Sequence, residues 1–213
     1  ADFSQSGTIA TLHHLGERPL ESLEAELASW GSERPMSLII PCLAAEMDGP
    51  ALGGIIRELS LIPYLSEVII GLDRADRDDF TRTRELFAPL PQHHRIVWSD
   101  SPRLQLIEAD LREHGLAPTE TGKGRNVWWC LGYFLASGRA RSVALHDADI
   151  LTYDRSMVAR LHYPVAHPGF GYMFAKGFYY RAASDGGRLN GRVTRLFVAP
   201  LLRALSLTFG RSD

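Results

Sequence analysis

Two aspartates follow a short apolar run in the segment RSVALHDADI, residues 141–150. The run SVAL is typical of a buried strand, so Asp147 and Asp149 come directly after the strand. Successive side chains of an ideal strand point to opposite faces, but a turn at Ala148 would bring both carboxylates to one site. Carboxylates suit Mg²⁺ or Mn²⁺, which often bind one or two of them together with phosphate oxygens. The pattern predicts a divalent-metal site; the alternative is a strand end whose aspartates cap the next helix.

A second candidate is TGKGRN, residues 121–126, in which two glycines flank Lys123 just before a predicted helix. Backbone amides at a helix N-terminus attract anions, and Lys123 adds a positive charge. The segment is not a Walker loop, because the pattern G-x-x-x-x-G-K-[ST] is absent. Taken alone, it is more typical of a flexible turn with a solvated lysine, and an anion site is the alternative.

Three further positions carry polar groups of interest. Glu46 follows the apolar run MSLIIPC, where its carboxylate can bind a nucleoside or serve as an ordinary first-turn helix glutamate. His146, beside the two aspartates, is a candidate ligand or catalyst, although a hydrogen-bonded strand residue is the commoner role. In GRVT, residues 191–194, Arg192 precedes another predicted helix. Because an arginine fork binds phosphate or carboxylate, we expect this basic loop to bind an anionic second substrate.

Four predicted strands must position these groups. The strands are MSLIIPC, which Pro41 is expected to end, SEVIIGLD, HRIVWSD and SVALHDADI. They alternate with the predicted helices ALGGIIRELSLI, DRDDFTRTRELFAPL, RLQLIEADLREHG and RNVWWCLGYFLASG, the last closed by Gly138. This order predicts an α/β fold with a mostly parallel sheet, preceded by the helix LESLEAELASW. Ligands of such sheets bind outside the carboxyl ends of the strands, where residues 41–46, 72–74 and 147–149 fall. The aromatic run GFGYMFAKGFYY is predicted to be a buried strand.

Composition excludes several classes of protein. The chain has 213 residues and a formal net charge of -2, which argues against a nucleic-acid binder held by phosphate contacts. No apolar run reaches the about 18 residues that cross a bilayer, so we expect no membrane segment. Its two cysteines, Cys42 and Cys130, lie in apolar segments without metal-ligand spacing. We expect buried thiols, which suit the reducing cytoplasm.

Together these features describe a nucleotide-diphosphate site, a divalent metal and a separate anion pocket, the equipment of a sugar-nucleotide transferase. In such an enzyme the metal neutralises charge on the departing diphosphate. We predict a helical extension at 1–35, a nucleotide-sugar-binding core at 36–150, and the start of an acceptor-binding part at 151–213. The last periodic segment, VTRLFVAPLLRALSLTF, runs almost to Asp213, so we expect the fold to be C-terminally truncated. An exposed apolar face on that helix would suit a homodimer.

The order IIPCLAAE, VIIGLD, GKGRNVWW, LHDADI and GRVTRLFVAPLL resembles the retaining GT-A glycosyltransferases of the glucosyl-3-phosphoglycerate synthase family. The related mannosyl-3-phosphoglycerate and mannosylglycerate synthases share much of this pattern, and the resemblance spans Met36 to Leu202. It implies a Rossmann-like GT-A fold and a Mg²⁺ or Mn²⁺ cofactor. It also implies transfer of glucose, with UDP-glucose the favoured donor, to the 2-hydroxyl of 3-phosphoglycerate. The product would feed synthesis of glucosylglycerate, a compatible solute.

The resemblance implies roles for particular residues. The donor-binding residues would be Pro41, Leu43, Glu46, Asp73, Lys123, Asp147 and Ala148. The metal ligands would be Asp149 and Asp147, with the family's histidine ligand falling downstream, where this chain has no counterpart. The acceptor-binding residues would be Gly191, Arg192 and Thr194. Leu72 and Asp73 depart from the family's D-S pair. The resemblance implies no catalytic base, because in the mechanism it implies the departing diphosphate helps deprotonate the acceptor.

Several alternatives remain open from the sequence. GDP-mannose is an alternative donor, which would give a mannosyl-3-phosphoglycerate synthase, and glycerate is an alternative acceptor. A sugar-nucleotidyltransferase would share the sheet and the metal, but PCLAAEMDGP lacks the glycine-rich, arginine-containing loop of that class. The chain could also be a non-catalytic nucleotide-sugar-binding fragment.

Overall fold

The computed structural model of the protein describes residues 12–177, Phe197 and residues 199–209. The chain divides into two compact units. One is Arg18–Ala175, which contains the sheet, and the other combines Ala1–Glu17 with Lys176–Asp213. The three-part division expected from the sequence stays a prediction.

Helices and strands alternate through the larger unit, as the apolar patterns predict. Its helices are α1 (Leu20–Trp30), α2 (Ala51–Ser60), α3 (Arg77–Phe87), α4 (Pro102–Glu113), α5 (Lys123–Ser137) and α6 (Ser156–Ala166). Its strands are β1 (Met36–Leu43), β2 (Leu65–Asp73), β3 (His94–Trp98) and β4 (Ser142–Leu145). Gly138 ends α5 as predicted, with a left-handed φ of 61°. The smaller unit contains a 3₁₀ turn at His13–Gly16 and helix α7 (Ala199–Thr208).

The four strands form one parallel sheet in the order β3-β2-β1-β4. The central strands β1 and β2 are buried along nearly their whole length, as a parallel sheet covered by helices requires. The chain passes from β1 to β2 to β3 in one direction and then returns to the opposite side of β1 with β4. This change of direction lies between β1 and β4, the place where ligands bind in such sheets. The predicted α/β fold is confirmed.

Strand β4 is much shorter than the strand it pairs with. It accompanies β1 only as far as Ile39, which is paired with Leu145, whereas β2 accompanies β1 to Leu43. Within the described residues, the second half of β1 therefore has no strand beside it on the β4 side. The prediction that Pro41 ends β1 is wrong, because proline is tolerated in a strand where its missing N–H faces no neighbour.

Helix α5 packs across β1, β2 and β3 through a compact apolar cluster. Ile39, Ile69 and Val97, one from each strand, meet Trp129 and Cys130 of the helix. All five side chains are at least nine-tenths buried. The position of α5 is therefore fixed by the sheet that it covers.

Gly71 of β2 allows α5 to come unusually close. A Cβ at this position would overlap Asn126 Oδ1 and would lie 2.5 Å from Cys130 Sγ. Asn126 Nδ2 donates to the Gly71 carbonyl oxygen at 3.0 Å. Further along α5, the Tyr133 hydroxyl donates to Glu67 Oε1 of β2 at 2.8 Å. The helix is thus held to β2 at both ends.

The prediction of a buried strand at GFGYMFAKGFYY is wrong for the part that the structure describes. Residues 169–177 contain no strand, and the side chains of Met173 and Phe174 are 93% and 80% exposed. Gly169 and Gly171 weaken strand formation, because glycine loses much conformational entropy and offers no side chain to pack. Among the described helices, none is long and apolar enough to cross a membrane.

Candidate active site

The predicted metal-binding aspartates lie in a turn immediately after β4. Ala148 and Asp149 form the turn, as the sequence predicts, with Ala148 buried and Asp149 exposed. The Asp147 side chain is 38% exposed. The buried alanine fixes the turn against the protein, so that the carboxylates on either side of it remain accessible at the edge of the sheet.

The main chain and the ring of His146 both hold this turn in place. Its N–H donates to the Ile39 carbonyl oxygen at 3.0 Å, and its Nδ1 lies 2.7 Å from the Tyr153 hydroxyl. Burial lowers the pKa of His146 to about 4, so the ring is neutral near physiological pH. His146 thus lies just after β4 rather than within it and is hydrogen bonded on both its main chain and its ring, while a role as ligand or catalyst stays a prediction. Because the histidine and Tyr153 flank the turn, their contact holds both ends of the loop that carries the aspartates.

Lys123 and Asp147 meet at this edge of the sheet. The lysine is the first residue of α5, and its Nζ is hydrogen bonded and ion-paired with Asp147 Oδ1. The two side chains are 57% and 38% exposed. An exposed ion pair contributes only about 0–1 kcal/mol, so Lys123 can exchange Asp147 for a phosphate oxygen at little cost. The structure therefore brings the GKG lysine and the first aspartate of DAD into one site.

The predicted nucleoside-binding segment follows β1. Pro41 is buried in the strand and Leu43 is half-buried at its end. Glu46 lies in a 3₁₀ turn at Ala44–Asp48, where its Oε2 accepts a hydrogen bond of 2.7 Å from the Leu43 N–H. The carboxylate thus caps this turn, and its role toward a donor stays a prediction.

Asp73, at the end of β2, is directed toward the protein. Its side chain is 1% exposed, and its Oδ1 accepts a hydrogen bond of 2.8 Å from Arg125 Nη2. The same guanidinium contacts Asp100 at 3.2 Å and Glu108 at 3.5 Å. The Asp73 carboxylate is therefore already bound by Arg125. The predicted contact of Asp73 with the donor stays a prediction.

Two arginines at this edge, Arg125 and Arg74, were given no role of their own in the sequence analysis, although residues 72–74 were placed at the ligand-binding ends of the strands. Arg125 stands in the first turn of α5, where the helix dipole disfavours a cation, so a buried arginine there requires acidic partners. An arginine in the first turn of a predicted helix is therefore the sequence signal that could have pointed to Arg125 and its acidic partners. Arg74 is exposed and has a φ of 52°, a left-handed conformation that costs about 1–3 kcal/mol in a residue with a side chain. Backbone strain of this kind is often found at functional sites, but the left-handed conformation of an arginine cannot be recognised from the sequence.

The remaining predictions concern the metal and the acceptor. Gly191, Arg192 and Thr194 lie outside the described residues. Among the residues that are described, no three or more His, Cys, Asp or Glu side chains form a metal-binding group. Asp147 and Asp149 supply the two carboxylates that a site shared with phosphate oxygens requires. The donor set therefore fits a divalent cation bound together with a diphosphate.

Comparison with known proteins finds curated relatives that are glucosyl-3-phosphoglycerate synthases. No family model matches the chain. The glucosyl-3-phosphoglycerate synthase of Persephonella marina is 42% identical over 210 residues, which cover 99% of this chain and 51% of that protein. The glucosyl-3-phosphoglycerate synthase of Methanococcoides burtonii is 38% identical over 186 residues, which cover 87% of this chain and 46% of that protein. The chain spans about half the length of the curated relatives it matches.

Solved structures share the fold. The mannosyl-3-phosphoglycerate synthase of Rubrobacter xylanophilus gives a TM-score of 0.56 at 24% identity, covering 89% of this chain and 52% of that one. The glucosyl-3-phosphoglycerate synthase of Mycobacterium tuberculosis, in complex with Mn²⁺, UDP-glucose and phosphoglyceric acid, gives 0.54 at 24% identity, covering 88% and 56%. The predicted GT-A fold is confirmed. The resemblance seen in the sequence is confirmed as well: over nearly its whole length, the chain is homologous to the glucosyl-3-phosphoglycerate synthase family.

Proposed function

We propose that the protein is a metal-dependent glycosyltransferase that moves glucose from UDP-glucose to the 2-hydroxyl of 3-phosphoglycerate, with retention at the sugar. One observation carries the proposal. Lys123 and Asp147 meet just after the carboxyl end of β4, two residues before Asp149, and the chain direction changes between β1 and β4, where parallel sheets bind nucleotides. The homology to glucosyl-3-phosphoglycerate synthases supports the choice of reaction.

The donor is proposed to lie along the carboxyl ends of β1 and β4. Pro41, Leu43 and Glu46 would contact the nucleoside. Lys123 would leave Asp147 for the diphosphate, which carries more negative charge than a single carboxylate. Ala148 and Asp147 would contact the sugar end of the donor, and Asp73 is proposed as a further donor contact.

Asp149 and Asp147 would hold a Mg²⁺ or Mn²⁺ ion. Their oxygen ligands match the preference of these ions, and the exposed turn leaves coordination positions for diphosphate oxygens. A metal bound there would neutralise negative charge on the departing diphosphate. The likeness to a synthase crystallised with Mn²⁺ and UDP-glucose supports this assignment.

The acceptor is proposed to bind through Gly191, Arg192 and Thr194. A phosphoglycerate carries a phosphate and a carboxylate, and a guanidinium can bind either group in bidentate fashion. We name no protein base, since the departing diphosphate can take the proton of the acceptor hydroxyl. The product would serve as a precursor of a compatible solute, and the two free buried cysteines suit a cytoplasmic location.

Calorimetric titration with UDP-glucose and with GDP-mannose, each with and without Mn²⁺, tests the donor. We expect metal-dependent binding of UDP-glucose and much weaker binding of GDP-mannose. Preference for GDP-mannose would indicate mannosyl transfer, which the related mannosyl-3-phosphoglycerate synthase shows to be compatible with this fold. Release of pyrophosphate in turnover with a sugar phosphate and nucleoside triphosphate would contradict the proposal and indicate a nucleotidyltransferase.

Substitution of Asp149 tests the metal site. Asp149→Ala should remove the Mn²⁺ dependence of UDP-glucose binding, because an accessible carboxylate ligand is lost. Asp110→Ala is the matched control, since Asp110 is also an exposed aspartate, 73% accessible, but lies in α4. An Asp149→Ala protein that still gains affinity on addition of Mn²⁺ would show that the metal binds elsewhere.

The acceptor loop is tested separately. Arg192→Ala should raise the KM for 3-phosphoglycerate while leaving the affinity for UDP-glucose nearly unchanged, because only the acceptor would contact Arg192. Arg188→Ala, four positions earlier, provides the control. Loss of donor affinity in Arg192→Ala would mean that the loop binds the donor instead.

A further inference from the structure

Arg125 lies two residues after Lys123, in the first turn of α5, and is surrounded by acidic side chains. Its Nη2 contacts Asp73 at 2.8 Å and Asp100 at 3.2 Å, and its Nη1 contacts Glu108 at 3.5 Å. The Arg125 side chain is 11% exposed, and those of Asp73 and Glu108 are 1% and 7% exposed. One buried guanidinium therefore joins carboxylates from three separate segments: the end of β2, the turn after β3, and α4.

This arrangement depends on the shape of arginine. Its planar fork presents several donors in fixed directions, whereas a lysine ammonium is a single point charge. A buried carboxylate is costly unless a charged or hydrogen-bonding partner compensates for its lost hydration. Arg125 is thus held where three acidic side chains converge, and α5 cannot shift away from β2 without uncovering Asp73.

The next residue strengthens the same attachment. Asn126 Nδ2 donates to the Gly71 carbonyl oxygen in β2 at 3.0 Å. Lys123, by contrast, is more than half exposed and reaches Asp147, which follows β4. In the sheet, β1 lies between β2 and β4, so these two strands are about 10 Å apart, two strand spacings. The first turn of α5 therefore bridges the carboxyl edge of the sheet, anchored firmly at β2 and only weakly at β4.

We propose that Arg125 is a positioning residue for donor binding. By fixing the first turn of α5 to β2, it holds Lys123 at the DAD turn, where the lysine can bind the diphosphate. Arg125 itself does not touch the donor. This inference rests on the proposed function, since it assigns Lys123 to the donor diphosphate.

Two measurements on the full chain test this role. The first is the affinity for UDP-glucose with Mn²⁺, together with KM and kcat. The second is the rate at which Lys123 is acetylated by a small reagent, followed by mass spectrometry with Lys176 as internal reference, because these are the only two lysines in the sequence. The second readout does not depend on any donor being bound.

The variants are Arg125→Gln, Arg125→Lys and the control Arg112→Gln. Arg112 also binds Glu108, at 2.7 Å, but it is 68% exposed and is not bonded to Asp73. Arg125→Gln should weaken UDP-glucose binding roughly 10- to 100-fold, as expected for a binding group displaced by about 1 Å. It should raise KM more than it lowers kcat, because Lys123 binds the diphosphate before and during transfer. The acetylation rate of Lys123 relative to Lys176 should rise, because its ion pair with Asp147 is loosened.

Arg125→Lys separates position from charge. It keeps the positive charge but not the fork, so it should shift both readouts in the same direction as Arg125→Gln, and it decides the question if the glutamine variant fails to fold. Wild-type affinity and wild-type Lys123 reactivity in Arg125→Lys would overturn the inference, as would equal effects in Arg112→Gln. If the wild-type protein binds no UDP-glucose at all, the proposed function fails, and the donor-positioning role fails with it. If the wild-type protein binds UDP-glucose and the Arg125 variants bind it equally well, only the role of Arg125 is refuted.

Discussion

The close approach of α5 to β2 predicts that a single methyl group at Gly71 will be poorly tolerated. In Gly71→Ala, the new Cβ would overlap Asn126 Oδ1 and would lie 2.5 Å from Cys130 Sγ. Neither obstacle is the end of a flexible side chain, because Asn126 and Cys130 are buried against the sheet. The helix must therefore move outward, and the hydrogen bond from Asn126 to the Gly71 carbonyl oxygen is weakened or lost.

The expected cost follows from these two effects. Overpacking of a close-packed site costs about 1–3 kcal/mol, and loss of the hydrogen bond adds about 1 kcal/mol. Gly71→Ala should therefore lower the free energy of unfolding by about 2–4 kcal/mol, a large fraction of the total for a typical domain. Urea denaturation followed by far-ultraviolet circular dichroism measures this quantity. Because α5 carries Lys123, donor affinity should fall as well.

Two companion variants make the test specific. Gly53→Ala introduces the same methyl group on an exposed position of α2 where nothing lies within 4 Å, and it should stabilise the protein by about 0.5–1 kcal/mol. On an Asn126→Ala background, Gly71→Ala should be at least about 1 kcal/mol less costly than in the wild type, because the main obstacle is gone. A Gly71→Ala protein as stable as the wild type, or a cost that is equal on both backgrounds, would refute the packing argument.

Three further predictions concern buried groups. Burial lowers the pKa of His162 to about 3, so the unfolded chain binds a proton that the folded protein excludes, and stability falls as the pH drops below about 6.5. Between about pH 7.5 and pH 5, His162→Leu should therefore lose about 2 kcal/mol less stability than the wild type in urea denaturation, and parallel pH profiles would contradict this. Burial raises the pKa of Cys42 and Cys130 to about 12, so neither thiol should react with Ellman's reagent at about pH 8 until denaturant is added. Tyr133→Phe removes the 2.8 Å donor of the buried Glu67 carboxylate, with His93 Nδ1 still beside it at 3.1 Å. The loss should cost about 0.5–1.5 kcal/mol in the same denaturation assay, whereas an unchanged midpoint would show that His93 replaces the lost hydrogen bond.

Local patterns in the sequence predict most of the larger unit. The apolar runs of β1 and β2 and the helical spacing of α1 depend on neighbours in the chain, so they are visible without a structure. The turn at Ala148 and the closure of α5 by Gly138 follow from residue type in the same way. Convergence of Lys123 with Asp147 follows from the alternation of strands and helices, because parallel strands place their carboxyl ends at one edge.

Long-range partners are what the sequence does not reveal. The contact between Arg125 and Asp73 joins residues 52 positions apart, and no periodicity links them. Glu46 is visible as a candidate ligand, but its use as a cap for the turn after β1 depends on local backbone geometry. The aromatic run near residue 170 has the alternation of a strand, yet alternation produces a strand only where another strand offers backbone groups to pair with.

The early end of β4 gives Pro41 a significance beyond its effect on strand length. In a parallel strand, the N–H and C=O of one residue face the same neighbour, and Ile39 faces β4, as its bond to the His146 N–H shows. Pro41, two residues later, faces the same side just beyond the end of β4, and it has no N–H to donate. An extended peptide, or a longer β4, would find no backbone donor at that point. Pro41 therefore limits how far main-chain pairing can extend along this side of β1. A residue with a backbone N–H in its place would allow another strand to pair beyond Ile39, at the position proposed above for the nucleotide.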